Sequence, residues 1–249
     1  RGYVMGLVGA NGAGKTTAIK IALGAVLPGN GSAHLIDKTR VGVVLDQPCW
    51  QATWRVCDLS RLLGPFYPGW DQRVFDELCE WAGVSQRLKV REFSRGMGMK
   101  VQVAVALAHR AELLVLDEPT SGLDPLARGE LLDKLSEFMT DERHSVLFST
   151  HITTDLDRIA DLVTILDAGR VIASGARDDL LEAWAMVRGG AADLTGELRA
   201  RIRGLRQHSA GWEGLIAAAD LGLCGTGVVA DTPSVEDLLV HLTKERKDA

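Results

Sequence analysis

Gly9, Ala10, Asn11, Gly12, Ala13, Gly14, Lys15 and Thr16 form the pattern G-x-x-x-x-G-K-[ST]. Glycines at this spacing let the backbone curl so that successive N–H groups point into one concavity. A helix that opens at the end of the loop adds the positive end of its dipole. Such a nest binds phosphate. Lys15 is then placed to neutralise β- and γ-phosphates, the Thr16 hydroxyl to ligate Mg²⁺, and Thr17 to donate to an α-phosphate. A second chemical pair stands downstream, where Leu113, Leu114, Val115 and Leu116 run into Asp117 and Glu118. A carboxylate at the end of a buried strand suits a cation, so Asp117 is expected to hold Mg²⁺ directly or through water. Glu118, one residue on, points the other way and is placed to polarise an attacking water. Alone, the first string is a glycine turn and the second an acidic strand end. Together and in this order they point to phosphoryl-transfer chemistry.

The elements that must position these residues follow from hydrophobic periodicity. Residues 3–8 read as a buried strand and 15–26 as a helix, so the glycine loop lies between them; Pro28, Gly29, Asn30 and Gly31 end the helix. Further strands are expected at 34–36, 41–45, 113–116, 146–148, 162–166 and 170–173. Helices are expected at 97–109, which is apolar nearly all round, and at 130–139, where Leu131, Leu132, Leu135, Phe138 and Met139 recur at helical spacing. Strands alternating with helices imply crossover connections, hence an α/β fold with a mainly parallel sheet. Residues 50–92 hold Trp50, Trp54, Trp70 and Trp81 and are broken at Gly64, Pro65, Pro68 and Gly69. They read as an inserted helical lobe. After Gly175 the strand signal fades. Helices are expected over 178–187 and 194–205, with Arg199, Arg201 and Arg203 as a solvated face and a hinge at Gly189 and Gly190. Ser234 and Asp237 form a capping-box pattern before Leu238, Leu239 and Leu242. The expected organisation is a nucleotide-binding domain over 1–175, with its lobe at about 50–109, and a small C-terminal extension over 176–249.

Composition narrows the classes. The 249 residues carry 28 Lys and Arg against 33 Asp and Glu, a net charge of −5, which disfavours a general nucleic-acid binder. Hydrophobic residues make up 46%, as in an ordinary globular protein, yet no apolar run approaches the length that spans a bilayer. Cys49, Cys57, Cys79 and Cys224 form no C-x-x-C pair, so scattered core thiols are expected rather than zinc, redox or disulfide work. The chain begins at Arg1 and enters an apolar strand almost at once, from which a piece lacking its true N-terminus is expected.

Residues 117–125, running from Asp117 to Pro125, resemble the Walker B motif and D-loop of ABC-type ATPases. His151, after Phe148, Ser149 and Thr150, resembles their switch histidine. Phe93, Ser94, Arg95, Gly96 and Met97 resemble their signature motif, usually Leu-Ser-Gly-Gly-Gln, with Arg95 and Met97 as departures. The resemblance covers about residues 2–175. The signature variant, residues 66–70 and residues 150–153 are similar to one branch, the ATP-binding subunits of ABC-2-type transporters like the YtrB group of bacteria.

This resemblance implies ATP hydrolysis to ADP and phosphate with Mg²⁺, held by Thr16 and Asp117. It implies two copies, or this chain and a homologous ATPase, with each ATP between the 9–16 loop of one and Ser94 and Gly96 of the other. Glu118 would orient the water, His151 sense the γ-phosphate and Asp124 shape the dimer interface. The family has a glutamine at the end of the strand before the helical lobe; Asp46 and Gln47 are rivals for that position. The family's adenine-stacking aromatic lies upstream of the first P-loop strand, and Tyr3 lies within that strand, so no residue is assigned that role. A separate transmembrane permease subunit would receive the helical lobe, which implies the cytoplasmic face of the cell membrane, an exporter, and no direct nucleic-acid contact. A DNA- or ribosome-associated ABC ATPase is the alternative. Against it, no heptad run separates Lys15 from Asp117, and the chain holds one cassette. A P-loop kinase or switch protein would lack Ser94, Gly96 and His151 in these positions.

Overall fold

The computed structural model describes residues 1–244. The chain forms two compact units. One takes Arg1–Leu7 and Gly14–His151, the other Val8–Ala13 and Ile152–Ala249.

In the first unit the elements follow as β1 (Val4–Val8), α1 (Lys15–Ala22), β2 (Val41–Val44), α2 (Val56–Leu63), α3 (Gln72–Trp81), α4 (Arg95–Ala108), β3 (Leu113–Asp117), α5 (Pro125–Phe138) and β4 (Ser145–Thr150). The strands lie in the order β2-β3-β4-β1. β2 is parallel to β3 and β3 to β4, with Val41 opposite Leu113 and Asp117 opposite Ser149. Parallel neighbours cannot be joined by a tight turn, so each connection carries helix: the three-helix lobe between β2 and β3, and α5 between β3 and β4. The lobe has its own core of Val56, Leu59, Phe75, Leu78, Val101 and Ala104. Helix α4 is buried over most of its length from Gly98 onward, which is why the sequence there is apolar nearly all round. Local chemistry starts the helices where they start. Asp71 accepts from the N–H groups of Arg73 and Val74 at the head of α3, and Asp124 from those of Leu126 and Ala127 at the head of α5, with Pro125 as its first residue. The strand expected at 34–36 is absent. His34, Leu35 and Ile36 lie in irregular chain that ends in a 3₁₀ turn at Lys38–Arg40, with Asp37 capping it through the Thr39 N–H.

The second unit contains α6 (Thr153–Ile159), β5 (Leu162–Asp167), β6 (Arg170–Ala176), α7 (Arg177–Glu182), β7 (Trp184–Gly189), α8 (Gly196–Arg201), β8 (Arg203–His208), β9 (Gly211–Ala217), β10 (Val229–Asp231) and α9 (Val235–Lys244). β5 and β6 form an antiparallel hairpin whose two turn residues, Ala168 and Gly169, both have positive φ. β7 to β10 make a four-stranded antiparallel sheet in the order β10-β7-β9-β8. This sheet corrects the expectation that strands fade after Gly175. Its outer strands β8 and β10 are largely exposed and so lack apolar runs, while the helix expected over 178–187 stops at Glu182 and continues as β7. The helix expected over 194–205 is likewise only α8, and Arg203 opens β8. The capping box is present: Asp237 accepts from the Ser234 N–H at 2.8 Å, and Ser234 Oγ from the Asp237 N–H at 3.1 Å.

The hinge expected at Gly189 is a packing position instead. Gly189 ends β7, and a Cβ there would lie 2.8 Å from the Trp212 ring. Trp212 is 1% exposed, and its indole N–H donates to the Gly190 carbonyl. Among the described residues no helix is long and apolar enough to cross a membrane. The four cysteines are free, but only Cys79 is the core thiol expected, since Cys49 and Cys57 are exposed and Cys224 half-buried; burial pushes the Cys79 thiol up to about 12, so it stays protonated.

Two stability predictions follow from this packing. Gly189→Ala drives a methyl into the indole and is expected to cost about 1–3 kcal/mol in urea unfolding; an unchanged midpoint would return Gly189 to a hinge. His109, which follows α4, stacks on Tyr67 at 4.1 Å, and burial holds its imidazole below the ordinary 6.5. Below that pH the unfolded chain takes up a proton that the folded chain refuses, so stability is full above 6.5 and declines as pH falls through it. In His109→Gln the decline in unfolding free energy between about pH 7.5 and about pH 5.5 is expected to be shallower.

Candidate functional site

The glycine loop joins β1 to α1. Gly12 and Gly14 take φ values of 83° and 106°, in the left-handed region where glycine carries no penalty. At Gly9 a Cβ would lie 2.4 Å from the Leu166 carbonyl oxygen, so only a bare backbone passes. Ala13 donates to the Ala10 carbonyl at 3.0 Å, closing the turn. Ala10, Asn11, Gly12, Thr16 and Thr17 are exposed. Gly14 caps α1 without a side-chain bond and no acid stands in the first turn, so the positive end of the helix is left uncompensated by its own sequence.

Lys15, the first residue of α1, is only 5% exposed. Its Nζ lies 2.9 Å from Glu118 Oε1. The other carboxylate oxygen of Glu118 accepts from His151 Nδ1–H at 2.7 Å and from the His151 backbone N–H at 3.3 Å. Glu118 has φ 52, a left-handed conformation in a non-glycine residue. That turn is held by Ser149, whose carbonyl and Oγ both accept from the Glu118 N–H, at 3.1 and 3.2 Å. The Ser149 hydroxyl in turn donates to Asp117 Oδ1 at 2.7 Å. Asp117 is buried at the end of β3, and Ser149 occupies one of its oxygens, leaving the second for a cation. Parallel register makes this possible, because Asp117 and Ser149 are direct partners across β3 and β4. Lys15, Asp117, Glu118 and His151, expected from the sequence, are thus brought together. Ser149 was not anticipated; its signal was a hydroxyl two residues before His151.

A cation here fits the donor set. Among the described residues no group of three or more His, Cys, Asp or Glu forms a complete metal site. A single buried carboxylate, Asp117, and an exposed threonine hydroxyl, Thr16, are the donors for an ion that keeps waters and takes the rest of its shell from phosphate oxygens, as Mg²⁺ does.

Ser94, Gly96 and Asp124 lie elsewhere in the first unit. Ser94 caps α4, its Oγ accepting from the Met97 N–H at 3.2 Å. Ser94, Gly96 and Asp124 share the lining of an open depression of about 560 Å³ with Gly122 and Leu126, and Leu126 is 72% exposed. Of the two rivals at the end of β2, Asp46 is engaged by Arg95, whereas Gln47 is exposed and has no side-chain bond among the described residues.

A glycine-rich loop between strand and helix, with its lysine facing an acidic strand end, defines a phosphate-binding P-loop protein. Residues 1–121 match the family model described as ABC transporter. The chain is 34% identical over 198 residues to Nod factor export ATP-binding protein I of Cupriavidus pinatubonensis, covering 73% of this chain and 60% of that one. It is 33% identical over 196 residues to an uncharacterized ABC transporter ATP-binding protein of Nostoc sp., covering 73% of this chain and 58% of that one. The chain therefore spans about three fifths of the length of these relatives. A solved ATP-binding subunit of an ABC transporter superposes with a TM-score of 0.63 at 31% identity, covering 72% of this chain and 81% of that one. The chain belongs to the ABC transporter ATP-binding subunit family and has the ABC ATPase fold.

Ser149→Ala removes the donor to Asp117 and an acceptor for the Glu118 N–H. Its expected cost is about 1.5–3 kcal/mol, the range for a hydrogen bond to a charged group. Urea unfolding at neutral pH measures it, and a loss under about 0.5 kcal/mol would deny Ser149 this bridging role.

Proposed function

We propose that this chain binds and hydrolyses Mg²⁺–ATP as the motor subunit of an ABC transporter of the ABC-2 type, working as an exporter. The observation that carries the reading is the Lys15–Glu118–His151 line beside Asp117. A buried lysine needs an anion, and a γ-phosphate is a stronger one than a carboxylate. ATP seated on the backbone N–H groups of the 9–16 loop exchanges with Glu118 for Lys15, with Thr17 donating to the α-phosphate. Glu118, released from Lys15 and still aimed by His151, accepts a proton as water attacks the γ-phosphorus. The bond to the bridging oxygen breaks and ADP leaves. Thr16 and Asp117 are the residues that would hold Mg²⁺, which when bound neutralises β- and γ-oxygens. Asp46 is already engaged by Arg95, so we assign to Gln47 the role at the end of β2, where it would contact the metal and the attacking water. The rest of the catalysis is positioning and charge stabilisation.

Two copies, or this chain and a homologous ATPase, complete the site. Ser94 and Gly96 of one copy would meet the γ-phosphate held by the other, and Asp124 would shape the contact. The open depression with its exposed Leu126 supports a surface that another chain covers. The helical lobe docks on a separate transmembrane permease subunit, which puts the assembly at the cytoplasmic face of the cell membrane. The export named in a relative supports the direction.

Glu118→Gln tests this reading. It keeps the shape and the His151 bond and removes the base. Titration calorimetry is expected to find Mg²⁺–ATP binding retained, turnover is expected to fall at least about a hundredfold, and ATP is expected to trap a dimer in gel filtration. Undiminished turnover removes Glu118 from the role, and an absence of Mg²⁺–ATP binding by the unsubstituted chain overturns the whole reading.

A further inference from the structure

Arg95 stands at the third position of the signature motif, where the family resemblance expects glycine, and the structure engages it on two sides. Its Nε–H donates to the Ser121 carbonyl, and an Nη2–H donates to Asp46 Oδ1. Both acceptors belong to segments that bear on the proposed chemistry, the turn after Glu118 and the end of β2. Gly122 is shaped to this contact. It has φ +69, and a Cβ there would lie 3.0 Å from Arg95 Nε.

The Asp46 turn is fastened to α4 at two points. Seven residues along the helix from Arg95, and so on the same face, the buried Gln102 closes a pair of bonds with Leu45. Its Oε1 accepts from the Leu45 N–H at 3.0 Å and its Nε2–H donates to the Leu45 carbonyl at 2.9 Å. The inner fastening is neutral and partly buried. The outer one is an ion pair with Arg95 36% and Asp46 50% exposed, which is the kind that exchanges partners readily. Ser94 and Arg95 also form a wall common to two depressions, the one of about 560 Å³ with Asp124 and a second of about 330 Å³ with Asp46, Gln47 and Trp50. The other cation early in α4, Lys100, is held by Glu130, so Arg95 alone of the two reaches across that wall.

We infer that Arg95 is a positioning residue that straps the Asp46–Gln47 turn and the Ser121 carbonyl to the head of α4 in the nucleotide-free chain. A γ-phosphate arriving at Ser94 and Gly96 from a second copy competes with Asp46 for its guanidinium. A dianionic phosphate takes a planar bidentate donor from a half-exposed carboxylate, because it offers more charge and more oxygens in the same geometry. Pairing of two copies and release of the turn that bears Gln47 are then one event. This inference rests on the two-copy reading above and adds to it a cost of pairing that the chain itself sets.

The experiment is a double-mutant cycle in the Glu118→Gln chain, with Asp46→Asn and Arg95→Gln, reading the ATP concentration at half-maximal dimer formation. Asp46→Asn is expected to lower that midpoint about twofold to fivefold while Arg95 is present, the range of an exposed ion pair, and to leave it unmoved in the Arg95→Gln background. A raised midpoint, or an equal effect with and without Arg95, overturns the exchange. Hydrogen exchange on the nucleotide-free chain reads the strap independently of any dimer. Arg95→Gln is expected to speed exchange at residues 45–48 and 121–123 together, and unchanged protection at both overturns the strap. If the Glu118→Gln chain never pairs with ATP while Arg95→Gln still loosens both segments, the two-copy reading and the exchange fall and the strap stands.

Discussion

Lys15 is almost wholly buried at the start of a helix, and burying an ammonium group costs free energy unless an anion lies against it. Much of the site is arranged around this need. The counter-charge is Glu118, and Glu118 reaches it only because its backbone adopts a left-handed turn immediately after a buried strand. That turn is held by the Ser149 carbonyl and hydroxyl, and the same hydroxyl fixes Asp117. His151, two residues past Ser149, closes the line on the far side of the Glu118 carboxylate. One lysine–carboxylate contact thus draws β3, β4 and the head of α1 into a single electrostatic unit. In the proposed reaction a phosphate breaks that contact by replacing the carboxylate.

Parallel pairing is the constraint behind the arrangement. Parallel strands end at the same edge, so residues that terminate β3 and β4 become neighbours although they are far apart in sequence. The crossovers that parallel pairing demands are put to use. The one between β2 and β3 is a helical lobe with its own core, and its longest helix, α4, carries Ser94, Arg95 and Gln102 from one end towards the other. α4 is therefore both a wall of the lobe and the support of the segment that follows β2.

The second unit is built on different principles. Its four-stranded sheet is antiparallel and packed around Trp212, Val187, Ile216 and Leu198. Its outer strand β10 is only three residues long and β8 carries Arg203, Arg206 and His208, which blunts both edges against pairing with another chain. Its backbone closes at glycine: Gly189 makes room for the Trp212 indole, which is tied to the next carbonyl.

The sequence by itself determined the glycine loop, the acidic strand end, the buried helix α4, the parallel core and the capping box at Ser234. Each is a local matter of side-chain period, backbone freedom or short-range hydrogen bonding, and each is written in consecutive residues. It misjudged residues 34–36, where two apolar residues after a histidine lacked a neighbouring strand, and residues 184–231, where exposed outer strands carry no apolar run. Which side chains touch was decided by the tertiary structure alone. Nothing in the order of residues says that Arg95 meets Asp46 and Ser121, that Ser149 bridges Asp117 and Glu118, or that Gly189 receives an indole. Those contacts join segments tens of residues apart, and they exist because strand register and helix packing bring the segments to the same place.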